Sequence, residues 1–236
     1  MVVGIVGARG YVGSALLKSF ENVVSCKVLP IIRENYSAMQ AEEYDVLINA
    51  AMPSARFWAK NNPAEDFIET VKKTADLIYN WRFKKFVQIS SVSARCQLGT
   101  VYGRHKAAAE ALCNFGDNTV VRLGALYSDA LKKGVLIDML EGRRVFVDGK
   151  SRYCFTPLEF VAGWIARNLE RTGVVEVGAK NAVPLEEVAR YIGAHVEFEG
   201  ARDDQEIQNP EPDFPEAREV LAFMEVAKQR LHRLQS

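Results

Sequence analysis

Tyr102 and Lys106 stand four residues apart in the chain. On a helix, positions i and i+4 share a face, so the ammonium can come beside the phenol. A free tyrosine has a pKa of about 10, and a nearby lysine charge favours the phenolate and lowers that value. Tyr102 can then exchange a proton with a carbinol oxygen while a nicotinamide moves the hydride. About a dozen residues upstream an apolar run ends in Ser90 and Ser91, and a serine hydroxyl there can hold the same oxygen. The chain opens with Gly4, Gly7, Gly10 and Gly13. In this order the elements describe a dinucleotide-binding oxidoreductase with a tyrosine acid/base. The pair taken alone has a plainer account, a surface tyrosine with a solvated lysine. His105, inside the pair, reads as a surface residue rather than a catalyst.

The glycine turn is the second source of chemistry. Gly7, Ala8, Arg9, Gly10, Tyr11, Val12 and Gly13 have GxxGxxG spacing. A glycine-rich turn between a first strand and a helix lets backbone approach a pyrophosphate, and the helix N-terminus adds N–H groups and a positive dipole end. The spacing differs from the commoner GxGxxG, and its place after the N-terminal strand is what makes it informative. An acid at the end of the second strand would hold the ribose hydroxyls of NAD. Here Arg33 comes first and Glu34 follows it. Arg33, helped by Arg9, suits the 2′-phosphate of NADP, so NADP(H) is preferred over NAD. Two solvated arginines are the alternative.

These residues need strands and helices to position them. Val2–Val6 is an apolar run that leads through the glycines into a helix over 11–20. Strands are expected at 27–32, weakened by Pro30, at 45–51, at 85–89 and at Thr119–Leu123. Apolar spacing gives a helix over 64–79, and the alanine-rich stretch 102–114 fits another. Strands alternating with helices imply βαβ units and a parallel sheet. Only about a dozen residues separate the second and third strands, so that crossover must be minimal. Further on, helices are expected over 131–140, 157–169 and 184–192, with a short strand at 174–177. Residues 200–215, polar with three prolines, read as an exposed loop. A last amphipathic helix spans 216–234, with Asp213 as its cap.

Bulk composition narrows the class. The 236 residues are enough for one large α/β domain with a sizeable core. Lys+Arg and Asp+Glu number 30 each, so total charge points to neither nucleic acid nor an anionic membrane. No apolar run reaches the roughly 18 residues a membrane span needs, and no basic stretch leads into an apolar signal core. The expectation is a soluble, cytoplasmic protein. Cys26, Cys96, Cys113 and Cys154 lack CxxC spacing. They read as reduced structural thiols, with no metal site.

Taken together, the motifs resemble the short-chain dehydrogenase/reductase superfamily, and more closely its extended branch of nucleotide-sugar epimerases, dehydratases and reductases. The resemblance implies an α/β Rossmann fold, a doubly wound parallel sheet, with a reduced C-terminal substrate lobe. Residues 1–236 would form a single NAD(P)-binding domain, its small substrate-facing lobe built mainly from 126–156 and 180–236. Gly7, Arg9, Gly10, Tyr11, Val12, Gly13 and Arg33 would bind the cofactor. Asn49, Ala50 and Ala51 look like the strand-end segment that lines the cofactor in dTDP-4-dehydrorhamnose reductases. Ser91, Tyr102 and Lys106 match the catalytic set, with Lys106 also on the nicotinamide ribose and Ser91 also touching substrate. Arg152, after Asp148-Gly149-Lys150-Ser151, would meet the nucleotide diphosphate.

Departures from the pattern narrow the activity. Leu123 and Ala125 replace the proline and asparagine of the substrate-facing segment. Thr70 stands at the usual asparagine of the fourth helix, and Tyr153 at the aspartate after Arg152. Val92 and Ser93 follow Ser91 where the 4,6-dehydratases carry acids, which argues against that reaction. The first reading is hydride transfer at a keto or carbinol carbon of a nucleotide-linked sugar, as reductase or epimerase. A non-enzymatic sensor of NADP and a reductase of a small non-sugar carbonyl are the alternatives. A homodimer through the helices over 67–79 and 102–114 is the assembly the resemblance implies.

Overall fold

In the computed structural model, which describes residues 1–21 and 26–235, the elements follow in chain order. They begin β1 (Val2–Val6), α1 (Tyr11–Glu21), β2 (Lys27–Ile31), α2 (Tyr36–Met39), β3 (Glu43–Asn49), α3 (Arg56–Asn61) and α4 (Pro63–Phe67). A π turn (Ile68–Lys72) leads into α5 (Lys73–Asn80), then β4 (Arg82–Ser91), α6 (Ser93–Cys96), α7 (Val101–Cys113) and β5 (Thr119–Leu123). The remainder is β6 (Leu126–Tyr127), α8 (Val135–Leu140), β7 (Arg152–Tyr153), β8 (Thr156–Pro157), α9 (Leu158–Arg167), β9 (Gly173–Val177), β10 (Val183–Pro184), α10 (Leu185–Tyr191) and α11 (Glu219–Gln235).

Among the described residues the main sheet has six strands in the order β2-β1-β3-β4-β5-β9. Adjacent strands from β2 through β5 pair in parallel, with Val6 opposite Asn49 and Asn49 opposite Gln88. The glycine turn after β1, the end of β3 and Ser91 at the end of β4 therefore share one edge of the sheet. In such sheets ligands bind outside the carboxyl ends of the strands where the order reverses, here between β1 and β3. This is a Rossmann fold, as the alternation of strand and helix implied.

The chain divides into two compact units, 1–123 with 159–176, and 124–158 with 177–236. In the first, Val6, Ile31, Tyr44, Leu47, Leu77, Trp81, Phe86 and Val120 form a buried cluster. Gly4 makes room for it, since a Cβ there would meet the Tyr44 ring at 2.5 Å. Pro30 is tolerated because β2 is an edge strand and needs no second partner. The short crossover between β2 and β3 contains only α2, four residues long. In the second unit, Tyr127, Leu136, Met139, Val145, Tyr153, Phe155, Leu185 and Val188 pack a separate core.

Three expectations needed correction. The helix over 64–79 is interrupted by the π turn, which average apolar periodicity does not reveal. Residues 200–215 are not exposed throughout. Gln205 is buried, bridging Tyr153, and its carbonyl accepts the Cys154 N–H at 3.2 Å, while Phe214 is 2% exposed. The last helix begins at Glu219, too late for Asp213 to cap it; the Glu219 carboxylate accepts the Glu216 N–H at 3.1 Å instead. No described helix is long and apolar enough to cross a membrane, and the described residues hold no metal-binding cluster.

Candidate functional site

The glycine turn is tight because its glycines have no alternative. Gly7 has φ +82°, and a Cβ on it would lie 2.7 Å from the Ala51 Cα. A Cβ on Gly13 would lie 2.2 Å from the Gly7 carbonyl oxygen. The Gly7 and Ala8 N–H groups donate to the Ile31 carbonyl at 2.9 and 3.3 Å, and Gly10 N–H to Gly7 at 2.8 Å. The first turn of α1, with Tyr11, Val12 and Gly13, thus opens onto a backbone cradle with the positive end of the helix dipole behind it. This arrangement fits a pyrophosphate.

Beside the cradle, the end of β2 carries charge of both signs. Asn35 locks the strand end, accepting from Ile32 N–H at 2.8 Å and donating to the Pro30 carbonyl at 3.0 Å. Arg9 pairs with Glu34 at 2.9 Å, both side chains exposed. A backbone hydrogen bond holds the Glu34 carboxyl below its ordinary range; burial opposes it, and the Arg9 and Arg33 charges add smaller lowering effects. Arg33 is exposed and forms no ion pair with a described residue. At the end of β3, Asn49 is fully buried, donating to Gln88 at 3.1 Å and accepting from Ala51 N–H at 3.2 Å. It shapes the strand end, while Ala50 and Ala51 are half-exposed.

Ser90 and Ser91 have different duties. Ser90 is buried and donates to Glu110 at 2.6 Å. Ser91 accepts the Ser93 N–H at 3.2 Å, and its hydroxyl lies near enough to the Tyr102 phenol to act on it. The short path from Ser91 to Tyr102 runs through α6 and a cap. Thr100 accepts the Gly103 N–H at 3.0 Å and starts α7. Gly103 lets α7 close on that segment, since a Cβ there would lie 2.1 Å from the Gln97 carbonyl oxygen. The Lys106 ammonium then lies 5.1 Å from the Tyr102 ring centroid. Ser91, Tyr102 and Lys106 are thereby brought together.

Their protonation differs from the sequence-based expectation. Burial raises the Tyr102 phenol above its ordinary value, outweighing the opposing effects of Arg56 and the Ser91 hydrogen bond. Burial also lowers the Lys106 ammonium to about 7, against the raising effects of Asp66 and then Glu110. Loss of water dominates because both side chains are less than a tenth exposed. The site as folded holds a neutral phenol, not a phenolate.

Several residues escaped the sequence reading. Glu110 accepts from Arg122 at 3.1, 3.1 and 2.7 Å and ties α7 to β5. Arg95 makes a two-pronged pair with Glu176 at 2.8 and 3.0 Å. His105 is not a solvated surface residue; its Nδ1 lies 2.6 Å from Oδ2 of Asp66, which is itself fully buried. Only the tyrosine-lysine spacing was a local signal; the others depend on packing between distant segments.

In the second unit, Arg152 donates to Glu206 at 2.6 Å and to the Ala182 carbonyl at 3.2 Å. Arg143 pairs with Asp138 and Glu141, and Arg144 with Glu197 and Glu199. Each of these three arginines is already matched to acids.

No protein-family model and no curated protein sequence matches the chain. Solved structures do. An NAD-dependent NDP-hexosamine 5,6-dehydratase of tunicamycin biosynthesis superposes with a TM-score of 0.76 at 14% identity, over 97% of this chain and 98% of that one. A UDP-glucose 4-epimerase from Thermotoga maritima gives 0.72 at 15% identity over 100% of both chains. A dTDP-4-dehydrorhamnose reductase from Bacillus anthracis, solved with NADP, gives 0.75 at 15% identity over 96% of this chain and 99% of that one. The chain shares its Rossmann fold with these three enzymes.

Proposed function

We propose that this chain is an NADP(H)-dependent oxidoreductase that transfers hydride at a keto or carbinol carbon of a nucleotide-linked sugar. The observation that carries the reading is the cluster of Ser91, Tyr102 and Lys106 at the same sheet edge as the glycine cradle. Gly7, Gly10 and Gly13 leave backbone room for the pyrophosphate, and the first turn of α1 faces it. Arg33, with Arg9, takes the 2′-phosphate, and Ala50 and Ala51 line the cofactor at the end of β3. The bound nicotinamide supplies or accepts the hydride. Ser91 holds the carbonyl oxygen of the substrate. Tyr102 donates its proton to that oxygen as negative charge develops there. Burial keeps Tyr102 protonated at neutral pH, the form that reduction requires. Lys106 holds the nicotinamide ribose and, when charged, favours the phenolate left after proton transfer.

A second reading, reduction of a small non-sugar carbonyl, is favoured by the acids around Arg152, Arg143 and Arg144. A diphosphate would have to compete with Glu206 for Arg152. Fluorescence titration of the purified protein with NADPH and NADH is the test. Tight binding of NADPH over NADH, followed by oxidation of NADPH with a keto-sugar nucleotide, is the expected result. Preference for NADH overturns the Arg33 assignment. Binding of neither cofactor overturns the enzyme. Turnover only with small ketones selects the second reading.

A further inference from the structure

Ser91 stands between two anchors that the reaction above does not use. The residue before it, Ser90, is 6% exposed and donates to Glu110 Oε1 at 2.6 Å. Beyond it in the chain, Arg95 on α6 grips both carboxylate oxygens of Glu176 at 2.8 and 3.0 Å. The two anchors are joined. Arg122 on β5 donates to Glu110 at 2.7 Å and lies 3.6 Å from Glu176. Ser90, Glu110, Arg122, Glu176 and Arg95 thus make one run of polar contacts, from β4 through α7, β5 and β9 to α6. Its two ends lie on the same short stretch of backbone, with Ser91 between them.

Stability is a weak reason for such a run. The Glu110 and Glu176 side chains are only 6% exposed. Buried ion pairs lose in hydration much of what they gain in attraction, and apolar residues of similar volume often serve as well. What these pairs supply is geometry. The guanidinium fork matches a carboxylate in a fixed orientation, so the Arg95–Glu176 pair sets where α6 lies against β9. The position of α6 in turn bears on Ser91. The first residue of α6 is Ser93, and its N–H donates to Ser91 Oγ at 3.2 Å. Val92, between the two serines, is 0% exposed and donates its N–H to the Leu123 carbonyl at 3.1 Å. A hydroxyl has one hydrogen to donate and two lone pairs. With the Ser93 N–H on a lone pair, the Ser91 hydrogen is left for donation, which is what holding a carbonyl oxygen requires.

We propose that Arg95 and Glu176 are positioning residues acting through α6 on Ser91: their pair keeps the Ser93 N–H against Ser91 Oγ and so reserves the hydroxyl hydrogen for the substrate oxygen. The inference rests on the reading of Ser91 as the residue that holds that oxygen. It gives a role in the reaction to Glu176, a residue 85 positions further along the chain than Ser91.

The test uses Arg95→Met in the full-length protein. Arg95 is the more exposed end of the pair, and Arg122 still lies beside Glu176 in the variant. Amide hydrogen exchange followed by NMR is the first measurement. Exchange at the Ser93 amide should quicken by on the order of tenfold, with the amides of residues 86–89 in β4 unchanged. An unmoved Ser93 overturns the proposal, and so does equal quickening along β4, which would mean general loosening. Turnover is the second measurement. With NADPH and a keto-sugar nucleotide, kcat should fall by on the order of 10–100-fold, while the NADPH dissociation constant changes by less than about twofold. In a Ser91→Ala background the Arg95→Met loss should vanish, because a residue acting through Ser91 has nothing left to act on. A loss that persists there overturns the proposal. Glu176→Gln, which keeps shape and removes charge, is read in the same two ways and covers the event that Arg95→Met does not fold. Failure of the wild-type protein to oxidise NADPH sinks the proposed function, while exchange at Ser93 still decides whether the pair fixes Ser91, so the two failures are told apart.

Discussion

The Lys106 ammonium lies over the face of the Tyr102 ring, 5.1 Å from its centroid and one turn along the same helix. That range is a cation–π contact. Replacing Tyr102 by Phe keeps the ring and the contact and removes only the hydroxyl. We expect turnover of a keto-sugar nucleotide to fall by on the order of 10²–10⁴-fold, the usual worth of a positioned acid/base. The dissociation constant for NADPH should change by less than about threefold, since the cofactor cradle is built elsewhere. Steady-state kinetics with a parallel fluorescence titration read both. Full turnover in the variant contradicts the acid role, and indifference of every property to the change favours a sensor.

Burial of Lys106 makes stability depend on pH in a definite direction. The group titrates at about 7 in the folded chain against an ordinary value of 10.5. Between those values the unfolded chain holds a proton that the folded chain lacks. Stability from this group therefore rises with pH, by at most about 1.4 kcal/mol per unit. Cys113 acts oppositely but higher, its thiol pushed from 9.0 to about 12, so its effect begins above pH 9. Urea denaturation at pH 7, 8 and 9 should show stability increasing, and Lys106→Met should flatten the slope. A wild-type stability that falls over this interval, or a slope unchanged in the variant, contradicts the assignment.

What could be read from the sequence is local chemistry. The Gly7, Gly10 and Gly13 turn was legible because left-handed backbone and close backbone approach leave glycine little competition. The Tyr102–Lys106 pair was legible because four residues make one helical turn. Asp66 and His105 were not, being 39 residues apart and joined only when α4 packs on α7. Arg152 was expected to meet a nucleotide diphosphate, and nothing in its neighbourhood announces that it pairs with Glu206, 54 residues on. The π turn was invisible for another reason: one extra residue in a turn barely disturbs an apolar pattern averaged over 64–79. Even the tyrosine-lysine chemistry was read with the wrong sign, because spacing reveals proximity and not burial.

Gly103→Ala tests whether α7 must approach α6 as closely as it does. Helix propensity alone would favour alanine by up to about 1 kcal/mol. The added Cβ would sit 2.1 Å from the Gln97 carbonyl oxygen and 2.8 Å from that of Ser93, and both are backbone that cannot rotate away. The clash should win, with a net loss of about 1–3 kcal/mol in urea denaturation. Because Tyr102 precedes Gly103 and Ser91 precedes the opposing segment, turnover should fall further than NADPH affinity. A stabilised variant would mean that the two segments can separate at little cost.

Glu110→Gln probes the network that fixes the same helix from its other end. Glu110 is 5% exposed and accepts from Ser90 at 2.6 Å and from Arg122. Removing one partner of a buried pair commonly costs about 3–5 kcal/mol, because the remaining charge is left without compensation. Arg122 also lies 3.6 Å from Glu176, which retains part of the neutralisation and should bring the loss to about 2–3 kcal/mol. Arg122→Met alone should be comparably destabilising, since Glu110 then has no guanidinium. The double variant should lose less than the sum of the two, because neither charge remains to be compensated. Denaturation of all four proteins completes the cycle. Strict additivity would show that the pair contributes nothing beyond its separate side chains, and α7 would then owe its position to Gly103 and the apolar contacts beneath it.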